Sequence, residues 1–101
     1  MAILQSVLYR GAAPTSNTTL YTVPGDHYAI LTNVVVANTT SSSIAATISL
    51  NGTEIISESP VPGNDALVFD IRQVVEAGQL IEGLAASSGL NFHISGVEID
   101  V

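Results

Sequence analysis

An all-β fold is predicted for this chain: a single antiparallel β-sandwich over residues 1–101, jelly-roll-like, with about eight strands. Three observations predict it. Ten Ile, eleven Val and nine Thr supply β-branched side chains suited to pleated, half-buried positions. Apolar and polar residues alternate with period two in several short runs. Clusters of Gly, Pro, Asn, Asp and Ser break those runs at short intervals, which is the spacing of sandwiches and barrels.

The first strand is expected from Ala2 to Tyr9, with the domain beginning near residue 2. Leu4 and Leu8 share one of its faces, and Ile3, Val7 and Tyr9 the other, so both faces are expected to be covered. Gly11 to Asn17 reads as a loop and Thr18 to Val23 as a short second strand. Pro24-Gly25-Asp26 reads as a type II turn, with proline presetting φ and Gly25 supplying a positive φ. The longest strand follows, His27 to Ala37, and then the polar loop Asn38-Thr39-Thr40-Ser41-Ser42-Ser43.

Ile44, Ala46, Ile48 and Leu50 alternate with Ala45, Thr47, Ser49 and Asn51, the clearest half-buried strand. It runs into Asn51-Gly52, a type I′ hairpin signal because that turn needs two positive φ angles. Thr53 to Ser57 is the expected return strand, and Pro60 to Asp65 a loop. Ala66 to Ile71 is a strand. Arg72 to Gly78 reads as irregular or as one helical turn capped by Asp70 and ended by Gly78. Gln79 to Ala85 is a strand and Ala86-Ser87-Ser88-Gly89 a turn.

The last strand changes phase. Leu90, Phe92 and Ile94 have one parity; Val97, Ile99 and Val101 have the other. One regular strand cannot bury both sets on one face. A bulge at Ser95-Gly96 is therefore expected, where one extra residue realigns them.

Charge narrows the functions. The net charge is −7, from nine acids against Arg10 and Arg72, with no lysine. Nucleic-acid binding needs cations to displace counterions, so no nucleic-acid partner is expected. Anionic membranes are disfavoured by the same sign. No apolar run reaches the length of a membrane-spanning helix, and Met1 to Gln5 does not read as a signal peptide. With no cysteine, disulfides and thiolate metal sites are excluded.

No catalytic, cofactor-binding or metal-binding residue is assigned. His27 follows a turn and reads as a solvent-facing strand end; His93 is expected on the solvent or subunit side of the last strand. No Gly-x-Ser-x-Gly elbow supports a hydrolase triad. Asn64, Asp65 and Asp70 are candidate cation ligands, but turn and strand-edge roles account for them. Glu54 and Glu58 are candidate members of a glycosidase pair, with nothing to single them out. Sugar-binding platforms use aromatic faces; Tyr28 and Phe92 read as core, and Tyr9 and Tyr21 as the exposed candidates. Asn17, Asn38 and Asn51 head glycosylation-type triplets, which chance explains in a chain this rich in Asn and Thr. What remains is a surface without the lysines that usually keep edge strands apart, as befits an oligomer or lattice subunit.

Leu20-Tyr21-Thr22-Val23-Pro24-Gly25 followed by Ala29 to Thr39 resembles a segment of small tailed-bacteriophage virion proteins. Glu76 to Ile81 and Phe92 to Glu98 are similar to that group as well. The motifs are turn plus strand and carry no catalytic residue. The resemblance implies a virion structural protein without enzymatic activity or cofactor. A capsid decoration (cement) subunit is the first expectation: a homotrimer on the capsid exterior, bound to the major capsid protein at capsomer junctions. A tail or head-fibre component is the alternative within that family, and a glycan-binding β-sandwich module the alternative outside it.

Overall fold

Eight strands pair into two four-stranded antiparallel sheets in the computed structural model, which describes residues 3–100. The strands are β1 (Ile3–Ala12), β2 (Thr18–Thr22), β3 (His27–Asn38), β4 (Ile44–Leu50), β5 (Thr53–Val61), β6 (Ala66–Val75), β7 (Leu80–Ala85) and β8 (Leu90–Asp100). The first sheet has the order β1-β8-β3-β6 and the second β2-β7-β4-β5. Only β4 and β5 are neighbours in both sequence and sheet; the other six connections all cross between sheets, as in a jelly roll. No helix forms among the described residues. The expected start near residue 2 and the apolar Val101 lie outside them.

The core lies between the sheets. Leu31, Val34, Val36, Phe92 and Ile94 fill it from the first sheet, and Ile48, Val61 and Ile81 from the second. Asn38, at the end of β3, is the most deeply buried polar side chain among the described residues. Its Nδ2 donates to the carbonyls of Ser42 (2.7 Å) and Val61 (2.9 Å). Its Oδ1 accepts from the Thr40 backbone N–H (2.9 Å) and hydroxyl (2.8 Å). The Asn38–Ser43 loop is thus folded around a buried amide whose polar atoms are satisfied.

The hairpin at Asn51-Gly52 forms as expected, with both residues at positive φ (49° and 87°). The turn after β2 also forms, closed by the His27 N–H donating to the Pro24 carbonyl at 3.1 Å. That bond puts Gly25 and Asp26 at the two central positions, one residue later than expected, and neither has a positive φ, so the turn is not type II. Four other expectations are corrected. β1 runs on to Ala12 and β5 through Pro60 to Val61, since each has a partner strand there. β6 continues through Arg72 and Gln73 to Val75, paired with β3, so no helical turn forms; the turn is Glu76 to Gln79, with Gly78 at positive φ. β1 is an edge strand, and Leu8 is its one buried side chain; its two faces are not both covered.

The expected bulge is real in position but belongs to other strands. β8 runs regularly through Ser95 and Gly96. Its neighbours carry the extra residues, Leu8 in β1 and Thr32 in β3, both beside Ser95. Gly96 faces inward beneath them. A Cβ there would lie 2.4 Å from the Ile30 carbonyl oxygen and 2.9 Å from Leu8 Cδ1. The glycine is required by close approach, not by a positive φ.

Candidate binding surface

Because β8 is regular, its two apolar sets point to opposite faces. Phe92 and Ile94 enter the core, while Val97 and Ile99 lie on the outer face of the first sheet. Register places other apolar residues beside them. Ile3, Ile99 and Tyr28 lie in one row across β1, β8 and β3; Val97, Ile30 and Val74 lie in the next, across β8, β3 and β6. Ile99 is nearly buried within this outer layer, whereas Ile3 is 66% and Val74 59% exposed. The result is an uncharged apolar patch spanning all four strands. The second sheet's outer rows are more polar: Thr19, Thr22, Thr47, Ser49 and Glu82, with Leu80 and Leu84 among them.

The edges differ in the same sense. β5 is blunted by Pro60, by exposed Glu54 and Glu58, and by Glu58 at φ 44°. The outer half of β1, Ile3 to Val7, carries no charge, and its Ile3, Leu4 and Val7 are exposed. Such an edge is a template for another strand.

At the same end of the sandwich the polar groups gather. Glu98 faces inward, opposite Leu4 and Ala29. It accepts hydrogen bonds from the Tyr21 hydroxyl of β2 and, at 2.9 Å, from the Ser6 hydroxyl. The Tyr21 and Ser6 bonds hold the Glu98 carboxyl below the usual range. Burial, then the bond to Glu98 and its charge, push the Tyr21 phenol well above its usual value. His27 and Asp100 form a cross-strand pair at the end of β3 and β8, and Asp26 joins them from the turn. His27 Nδ1 lies 2.5 Å from Asp26 Oδ1, and this bond holds the Asp26 carboxyl below its usual value. A groove beside this cluster is lined by Asp26, His27, Tyr28, Val74 and Glu76.

Several sequence-based placements change. His27 is half-buried and bonded to Asp26, not solvent-facing. His93 does lie on the outer face, opposite Arg10 and Val35 and far along the sheet from His27. Phe92 is core, but Tyr28 belongs to the outer face. Tyr9 and Tyr21 are half-buried, with their hydroxyls bonded to the Ala12 carbonyl (2.8 Å) and to Glu98, so neither is a free platform. Asp65 accepts from the Ala66 N–H at 2.8 Å and Asp70 faces Asn33; they do not cluster. Glu54 and Glu58 lie on the β5 edge. Asn38 is buried with its amide engaged, which removes it as a glycan acceptor; Asn17 and Asn51 are exposed. The apolar outer face had a signal in the sequence, the second parity of β8. The Asp26–His27–Asp100 grouping had none.

The chain matches no protein-family model and no curated protein sequence. Among solved structures it is similar to the C-terminal CBM6 of LamC, a marine laminarinase from Zobellia galactanivorans. Identity is 18%, coverage 99% of this chain and 100% of that one, and the TM-score 0.36. A likeness at that level carries no functional argument.

Proposed function

We propose that this chain is a non-catalytic structural subunit that assembles with copies of itself through the outer face of the first sheet. The apolar patch across β1, β8, β3 and β6 is the observation that carries the proposal. Apolar patches of this kind on a soluble chain mark association surfaces. Chains that each carry −7 associate most readily through uncharged surface, and the patch is uncharged; Arg10 and Asp70 lie farther along the same face. The setting, a tailed-phage virion with the subunit bound at capsomer junctions as a trimer, rests on the sequence resemblance alone.

Light scattering across a concentration series tests the assembly. The wild type is expected to form a defined oligomer, and Val74→Glu with Ile3→Glu to shift it to folded monomer. A wild type monomeric at every concentration defeats the proposal. Co-sedimentation with phage heads then tests the setting; binding to tails alone moves the subunit there.

A glycan-binding reading has one observation in its favour, the groove that sets Tyr28 beside Asp26, His27 and Glu76. The CBM6 likeness is of that class but adds no weight at its TM-score. A glycan array separates the readings: glycan binding lost in Tyr28→Ala supports it, and an array without hits removes it.

A further inference from the structure

We propose that Asp26, His27 and Asp100 form a divalent transition-metal site that clamps the β2–β3 turn to the last strand. Pairing of β3 with β8 sets His27 directly opposite Asp100. The turn closed by the Pro24–His27 hydrogen bond brings Asp26 to the same place. One ligand atom from each of the three lies within 4.8 Å of the others. Ligands bound to one zinc-sized ion at about 2.0–2.2 Å sit roughly 3.3–4.2 Å apart, so the widest pair must close by at most about 1.5 Å, and the His27 Nδ1 and Asp26 Oδ1 atoms, now 2.5 Å apart, must open by roughly 1 Å as their hydrogen bond gives way to the ion.

The donor set defines the ion. One imidazole nitrogen and two carboxylates offer two negative charges and a borderline ligand, which suits Zn²⁺ or Mn²⁺. Calcium takes six to eight oxygens and is poorly served by three donors, one of them nitrogen. Neither arginine competes: Arg10 lies opposite His93 and Arg72 on β6. The groove beside Asp26 and His27 leaves one side of the ion open to water or to a partner's ligand.

The test is calorimetric titration of chelator-treated protein with Zn²⁺, Mn²⁺ and Ca²⁺, paired with thermal melts. One equivalent of Zn²⁺ is expected to bind and raise Tm, reversibly with chelator, and Ca²⁺ to do neither. His27→Gln and Asp100→Asn should each weaken binding tenfold or more, and His93→Gln should leave it unchanged. If a variant fails to fold, the His27 ring resonances of the wild type serve instead and should shift on zinc addition. The site is ruled out if wild-type protein shows no saturable Zn²⁺ binding, or if binding survives both substitutions.

Discussion

The Tyr21 hydroxyl of β2 donates to the Glu98 carboxylate of β8, joining the second sheet to the first beside the Ser6 bond. Both partners are only half-buried, so truncating the donor in Tyr21→Phe is expected to cost about 1 kcal/mol in urea unfolding.

The same pair sets a pH window. The folded value of Glu98 is lowered, so its contribution is present above the ordinary glutamate value of 4.5 and is lost as pH falls through the folded value. The folded value of Tyr21 is raised, so its contribution is present below the ordinary tyrosine value of 10.0 and is lost as pH rises beyond it. Stability is expected to be flat between those limits and to fall outside them. Tyr21→Phe should flatten the alkaline limb; an alkaline limb unchanged in that variant would show that another group controls it.

Asn38 is expected to be the most costly polar substitution. Asn38→Ala removes the amide donor from the Val61 carbonyl and the acceptor from the Thr40 N–H, and leaves the Ser42 carbonyl with the Thr40 hydroxyl in place of two donors. The expected loss is about 2–4 kcal/mol by denaturant unfolding. In a glycosylating host, mass spectrometry should find Asn38 unmodified.

Two glycines should respond differently to alanine. At Gly96 the new Cβ would meet the Ile30 carbonyl oxygen at 2.4 Å, and backbone cannot retreat cheaply. At Gly83 it would meet the ends of Ile48 (2.9 Å), Leu20 (3.0 Å) and Phe92 (3.1 Å), which can turn aside. Gly96→Ala is expected to cost more than Gly83→Ala, with the former near the upper end of about 1–3 kcal/mol for overpacking. Thermal melts of the two variants give the order directly.

Gly52 isolates backbone strain from contact. Nothing lies within 4 Å of a Cβ there, yet its φ is +87°. Gly52→Ala should cost about 1 kcal/mol, and Gly52→Asn less, since asparagine tolerates that region better.

Features governed by local chemistry were legible in the sequence. Asn51-Gly52 declares its hairpin because the dihedral demand is met by two adjacent residues. Strand count and class follow from alternation and turn residues. The phase break in β8 was legible as a break but not in its meaning. A change of parity is resolved equally by a bulge or by a second apolar face, and which occurs depends on the neighbouring strands. The extension of β6 was hidden because Arg72 and Gln73 are polar and exposed on an edge strand, so alternation fades there. The grouping of Asp26 and His27 with Asp100 depends on β3 lying beside β8, and strand order is not written in one sequence.

Strand β8 is interior to its sheet, flanked by β1 and β3, yet it comes after the other seven in chain order. During synthesis β1 has no partner until residues 90–100 leave the ribosome. The first sheet therefore closes only after translation has passed nearly the whole domain, and the nascent chain holds its apolar strands open until then. A ribosome stalled before Leu90 should present a protease-sensitive chain, and one stalled with β8 beyond the exit tunnel a resistant one.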